Sequence, residues 1–139
     1  MKFLLAIPLL CAAIALAACG SRDDDAGDAT VTLLAPAEYQ AAITAGDTFV
    51  VNVHIPYEGE IEGTDAFIPF DDVASHAAEL PADKSAPLYI YCRSGRMSAE
   101  ATPILQAMGY TNIIDLEGGM EAWQSAALPL LTRAEGRTT

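Results

Sequence analysis

Cys92 closes the apolar run Leu88-Tyr89-Ile90-Tyr91 and opens the polar stretch Arg93-Ser94-Gly95-Arg96-Met97-Ser98. A thiol there, followed by a tight Gly-containing loop and then by helix-forming residues, sits at a strand-to-helix junction. Open α/β sheets hold their ligands at such junctions, outside the C-terminal ends of the strands. The loop amides and the N-terminus of the following helix favour negative charge, and Arg93 and Arg96 add two guanidinium groups. These surroundings are expected to favour the thiolate and to make Cys92 a nucleophile. A buried packing cysteine is the plain alternative, but packing calls for neither the Gly nor the two Arg.

The elements that must position this thiol follow from the alternation of short apolar runs with amphipathic segments, the signature of an α/β fold. Val31–Leu34 reads as an edge strand. Pro36–Ala45 reads as a helix, with Pro36 at its first position and Gly46 just past its end. Phe49–Val53 is apolar apart from Asn52, as expected of a strand buried on both faces. Residues 54–64 form a loop punctuated by Pro56, Gly59 and Gly63 and made acidic by Glu58, Glu60 and Glu62. A short strand over Phe67–Pro69 follows, then a helix capped by Asp71 or Asp72 with Val73, Ala77 and Leu80 on one face. Leu88–Tyr91 is the central strand. After the Cys92 loop, Ala101, Ile104, Leu105 and Met108 fall on one helix face, which Gly109 ends. With Ser98 as the cap, Pro103 lies inside this helix and kinks its first turn; alternatively, Thr102 caps a second start. Asn112–Leu116 is the last strand, Gly118-Gly119 a sharp turn, and Met120–Ala127 a short helix bearing Trp123. Residues 31–132 thus form one domain, large enough for one sheet covered by helices, and residues 133–139 a tail.

The N-terminus reads as a targeting signal. Lys2 precedes an unbroken apolar stretch from Phe3 to Ala18, too short and one-sided for a spanning helix but typical of a signal peptide. Leu16-Ala17-Ala18-Cys19 resembles the lipobox of bacterial lipoproteins, which implies removal of residues 1–18 and lipid on Cys19. Ordinary secretory cleavage near Ala18 and an uncleaved anchor are the alternatives. Gly20, in place of an Asp, leans toward the outer membrane, facing the periplasm. Residues 19–30 are then the lipidated Cys and a small, acidic, flexible tether. The whole chain carries 19 Asp and Glu against seven Lys and Arg, a net charge of -12. Losing residues 1–18 removes one lysine and no acid. So acidic a surface excludes nucleic acid and attraction to anionic lipid headgroups, leaving the lipid anchor as the only membrane contact.

Of three cysteines, Cys11 lies in the removed peptide and Cys19 carries lipid, so Cys92 is the sole free thiol of the mature domain. There is no CxxC, which excludes dithiol exchange within the chain. One thiol with His54 and His76 does not support a zinc site, and neither metal nor cofactor is expected.

With strand, Cys loop, helix, strand, Gly-Gly, helix and Trp in this order, the chain resembles the single-domain rhodaneses, the sulfurtransferases of thiosulfate and persulfides. The matching pieces are Tyr91–Arg96, Gly109-Tyr110, Asp115–Met120 and Trp123. The resemblance implies a rhodanese-like α/β fold, a five-stranded parallel sheet with helices on both faces. It also implies a Cys92 that cycles between thiolate and persulfide, with Arg93, Ser94, Gly95, Arg96 and Met97 as the loop that binds substrate. The partners implied are a small sulfur donor and a thiol or cyanide acceptor, with a protein thiol as a further candidate. An amide cradle with two guanidinium groups suits a persulfide anion and an anionic donor.

Three departures stand out. Family members often carry Asp-x-Arg where this chain has Asn52-Val53-His54; His54 is a candidate pocket residue, with a structural role the alternative. Tyr91 is a second candidate bordering the site. Met97 replaces a frequent loop Arg and is expected to make the mouth more apolar, turning the site from small anions such as thiosulfate. The Glu58–Glu62 loop, as part of the rim, would repel anionic donors and leave room for a neutral or protein thiol. Two other functions compete. Tyrosine phosphatases and arsenate reductases place an oxyanion-clamping Arg after a five-residue gap, where this chain has Ser98, so its loop is too small for phosphate. A non-enzymatic module that binds a partner or senses redox state through Cys92 is the other alternative.

Overall fold

The computed structural model describes residues 28–132; the expected signal peptide, Cys19, most of the tether and the 133–139 tail lie outside the described residues. Five strands, β1 (Thr30–Leu34), β2 (Phe49–Asn52), β3 (Ala66–Phe67), β4 (Leu88–Tyr91) and β5 (Asn112–Leu116), form one sheet in the order β1-β5-β4-β2-β3. Every pairing is parallel. The helices are α1 (Pro36–Thr44), α2 (Arg96–Ala107) and α3 (Gly119–Ser125), with a 3₁₀ segment over Val73–Glu79. The expected edge strand is β1, and the strand that ends at Cys92 is the middle one. β1 begins at Thr30, one residue inside the stretch assigned to the tether.

The period-2 alternation of the strands sends side chains to two cores. Leu88, Ile90, Cys92 and Ile113 face Ala101 and Leu105 of α2 and Val73 and Leu80 of the 3₁₀ segment. Tyr91, Ile114 and Leu116 face the other way, toward Tyr39 of α1 and Met120 and Trp123 of α3. Burying apolar surface on both faces is what makes β2, β4 and β5 read as near-continuous apolar runs. The second core is also tied polarly: the Tyr39 hydroxyl donates to the Ile90 carbonyl at 3.1 Å, and Trp123 Nε1 donates to Pro129 at 2.9 Å.

Two expectations are corrected. The segment after Asp72 is 3₁₀, interrupted at His76, and Asp72 makes no side-chain cap. With three residues per turn, Val73 and Leu80 are buried while Ala77 is exposed. Helix α2 starts at Arg96 behind Gly95, with Ser98 inside its first turn, and runs unbroken through Pro103. Pro103 deprives the Ala99 carbonyl of a donor, and exposed Ala99 leaves that group to water.

Candidate active site

Cys92 is 1% exposed, at the end of β4. The chain turns back on itself at Gly95, whose φ of +96° is a left-handed conformation that glycine adopts without steric cost. This turn aims the Gly95 N–H at the thiol, 3.0 Å from Sγ. Ser98, one helical turn further, places its Oγ 3.6 Å from Sγ and 3.2 Å from the Gly95 carbonyl. From the other side the start of α3 clamps the loop: the Met120 N–H donates to the Cys92 carbonyl and the Glu121 N–H to the Arg93 carbonyl, both at 2.9 Å. Gly119 makes that approach sterically open. A Cβ on it would lie 2.6 Å from the Arg93 carbonyl carbon and oxygen and would also strike the Cys92 oxygen.

The two arginines do not face the sulfur as expected. Arg93 is exposed and held by two carboxylates, with Nη1 3.2 Å from Glu58 Oε1 and Nε 3.1 Å from Glu121 Oε1. Arg96 pairs with Glu100 one turn along α2 and covers the Phe70 ring at 5.7 Å. The physical reason is local: each guanidinium has a carboxylate within reach of its long side chain, whereas the sulfur lies below the loop surface. Exposed pairs of this kind are worth about 1 kcal/mol or less, so they bias the arginines without locking them. Ser94 is exposed on the loop. Met97, expected at an open mouth, is partly buried against the α2-side core.

His54 is 7% exposed. Its Nε2 is hydrogen-bonded to Glu58, so that His54, Glu58, Arg93 and Glu121 form one chain of polar contacts. The His54 hydrogen bond, followed by the attraction of Arg93, holds the Glu58 carboxyl below its usual range. Asn52 braces this turn: its Oδ1 accepts the His54 N–H at 2.9 Å and its Nδ2 donates to the Gly59 carbonyl at 3.1 Å. Tyr91 does not border the thiol. Strand alternation turns it to the α3-side core, where its hydroxyl accepts the Ile61 N–H at 3.0 Å and bonds Thr64 at 2.7 Å. Beside the loop lies a cavity of 230 Å³ lined by Glu58, Arg93, Met120, Glu121, Gln124 and Leu130. His54 lines a different one, with Ile55, Tyr57, Phe67, Ile68 and Pro69. His76 is paired on the surface with Asp72 and Glu79. Among the described residues no cluster of three or more His, Cys, Asp or Glu could hold a metal ion.

Asp115 carries chemistry that sequence reasoning missed. It is 4% exposed, and its Oδ1 is buried without a hydrogen-bond partner. Burial pushes its carboxyl from 3.8 up to about 6, against the opposing pull of the Ser98 hydroxyl and the Leu116 amide. The available signal was a lone carboxylate inside the apolar run Asn112–Leu116. A folded carboxyl raised above its unfolded value contributes least stability when ionised, so stability is expected to fall as pH rises from about 4 to about 6. The size of this contribution is about 3 kcal/mol at most. Urea titrations of Asp115→Asn and the wild type across this window should diverge by that slope, and parallel curves would contradict it.

A family model for the rhodanese-like domain matches residues 35–126. The "Sulfurtransferase" of Allochromatium vinosum is 34% identical over 89 residues, which cover 61% of this chain and 79% of that protein. The "Thiosulfate sulfurtransferase PspE" of Escherichia coli K12 is 31% identical over 70 residues, 49% of this chain and 67% of that one. Some curated relatives are much longer: the chain spans 29% of the "Probable adenylyltransferase/sulfurtransferase MoeZ" of Mycobacterium tuberculosis, at 32% identity. Among solved structures, a rhodanese-related protein from Thermoplasma volcanium superposes with a TM-score of 0.61 at 26% identity, covering 72% of this chain and 97% of that one. The chain therefore belongs to the rhodanese-like domain family, and its relatives place it with the sulfurtransferases.

Proposed function

We propose that this protein is a rhodanese-type sulfurtransferase in which Cys92 carries the sulfur. The Cys92 thiolate attacks the outer sulfur of thiosulfate or of a persulfide. The donor's S–S bond breaks, sulfite or a thiolate leaves with the bonding pair, and Cys92 becomes a persulfide anion. An acceptor thiolate or cyanide then takes the outer sulfur and returns Cys92 to thiolate, so no external oxidant or reductant is consumed. The carrying observation is the Gly95 N–H aimed at Sγ from a glycine turn, with the loop carbonyls fastened to α3. The outer sulfur, about 2 Å beyond Sγ, extends from a nearly buried thiol toward the loop mouth. That burial weighs against the redox-module reading, because a mixed disulfide with a large partner requires access to Sγ itself. The test is turnover of thiosulfate with cyanide: sulfite and thiocyanate formed in equal amounts support the reading, and release of neither opposes it.

The charge of the rim supports one donor class over the other. Glu58 and Glu121 occupy the Arg93 guanidinium and share its cavity, so a small dianion meets two carboxylates and a neutralised cation. A persulfide on a neutral carrier suits this rim better than thiosulfate. The double variant Glu58→Gln/Glu121→Gln is expected to raise kcat/KM for thiosulfate about tenfold at low salt, with the gain shrinking as salt screens it. An unchanged value at low salt would contradict this.

We also propose export and lipid anchoring at Cys19, on the strength of the Leu16–Cys19 motif behind an apolar leader. Labelling with palmitate in cells should be lost in Cys19→Ser; label retained there would refute it.

A further inference from the structure

His54 has satisfied only one of its two ring nitrogens. Nε2 is hydrogen-bonded to Glu58, and that contact holds the Glu58 carboxyl below its usual range. An ionised carboxylate has no proton to give, so the proton of this pair sits on Nε2, and Nδ1 of the neutral ring is an acceptor. Nδ1 is buried without a hydrogen-bond partner, in a residue only 7% exposed. Such atoms are rare in folded proteins, because an acceptor taken from water and left unpaired opposes folding.

The cavity that His54 lines supplies the second observation. Two segments enclose its 240 Å³: His54, Ile55 and Tyr57 where the chain leaves β2, and Phe67, Ile68 and Pro69 where it leaves β3. They are stapled together by the Ile68 N–H, which donates to the Asn52 carbonyl at 3.0 Å, and the Phe70 N–H, which donates to the Val53 carbonyl at 3.1 Å. The Tyr57 and Phe67 ring centroids stand 5.3 Å apart, and Ile55 and Phe67 are 37% and 36% exposed. This is the C-terminal edge of the sheet, where open α/β folds bind ligands. Phe70, the residue after Pro69, lies under the Arg96 guanidinium, so the cavity adjoins the Cys92 loop without including the thiol.

We propose that this cavity binds a small neutral aromatic molecule of the indole class, whose N–H donates to His54 Nδ1. Volume sets the size: an apolar cavity of about 150 Å³ takes benzene, so this larger one takes two fused rings. The lining sets the body. Ile55, Phe67, Ile68 and Pro69 offer no polar side-chain atom, and the Tyr57 hydroxyl is given to Glu60 at 3.1 Å, which leaves His54 to fix the orientation. Charge disfavours an anion, since the chain carries a net -12 and Glu58 stands at the other nitrogen of the same ring. The proposal concerns a second ligand and holds whether or not Cys92 transfers sulfur.

Indole and indene are the probes, because they share nearly one shape and only indole carries the N–H. At about pH 9, above the ordinary imidazole range, indole is expected to bind the full chain about fivefold more tightly than indene. In ¹⁵N NMR the His54 Nδ1 resonance should move upfield as indole is added and stay in place with indene. In His54→Phe, which keeps a ring and loses the acceptor, the preference for indole should disappear. Equal affinities in the wild type, or a Nδ1 resonance that indole leaves unmoved, would overturn the proposal. The NMR measurement needs no variant, so it decides the matter even where His54→Phe fails to fold. N-acetyltryptophanamide binding more tightly than indole would give the cavity to a side chain of another protein, and would equally overturn it.

Discussion

Gly119→Ala is expected to cost at least about 3 kcal/mol of stability. Two terms combine. Gly119 sits at φ +59°, where an L-residue pays about 1–2 kcal/mol in steric strain. The added Cβ then meets backbone, at 2.6 Å from the Arg93 carbonyl group, and no rotamer change can move it aside. Relief requires parting the start of α3 from the Cys92 loop, which breaks the Met120 and Glu121 amide bonds to that loop. Where the variant still folds, a loop displaced by about 1 Å should lose about 100-fold in kcat/KM. Gly46→Ala is the matched control: nothing lies within 4 Å of its added Cβ, and its effect should stay within about 0.5 kcal/mol. Chemical denaturation of the two variants side by side tests this, and similar midpoints would contradict the clamp.

Cys92→Ser is expected to abolish sulfur transfer while leaving the fold intact. The oxygen takes the place of sulfur at the end of β4, still reached by the Gly95 N–H and Ser98, so the polar atom stays satisfied and the stability change is about 1 kcal/mol or less. The hydroxyl is not ionised near neutral pH and is a far weaker nucleophile than a thiolate. A melting temperature within about 8 °C of wild type, with no turnover, is therefore the expected pair of results. Residual turnover comparable to wild type would place the sulfur carrier elsewhere.

The strands around the site were legible because burial on both faces imposes apolar runs, and β4 and β5 fall where those runs lie. The Cys92 loop and the Gly118-Gly119 turn were legible for a different reason, since glycine is demanded by backbone approach and not by side-chain chemistry. Side-chain direction was not legible. Arg93 and Arg96 were read toward the sulfur because their partners, Glu58 and Glu121 for one and Glu100 for the other, include carboxylates distant in the chain. Tyr91 was misplaced although strand alternation alone sends it away from Cys92. The 3₁₀ segment was read as α-helix because Val73, Ala77 and Leu80 fit a helical period, and the interruption at His76 has no signature in residue type. Asp115 was hidden inside a matching motif, and its burial as a lone carboxylate showed only once the β4–β5 register set it beside Ile90 in the sheet interior.

The intact mass of the domain after exposure to thiosulfate or to a persulfide tests the central claim most directly. Wild-type protein is expected to gain about 32 Da, one sulfur atom, and to lose it again when cyanide or a thiol is added; Cys92→Ser should gain nothing. Reversal is essential, because a sulfinic acid adds nearly the same mass but is not removed by these acceptors. No adduct with any donor, an adduct that persists in Cys92→Ser, or one that cyanide and thiols leave in place would contradict a Cys92 persulfide.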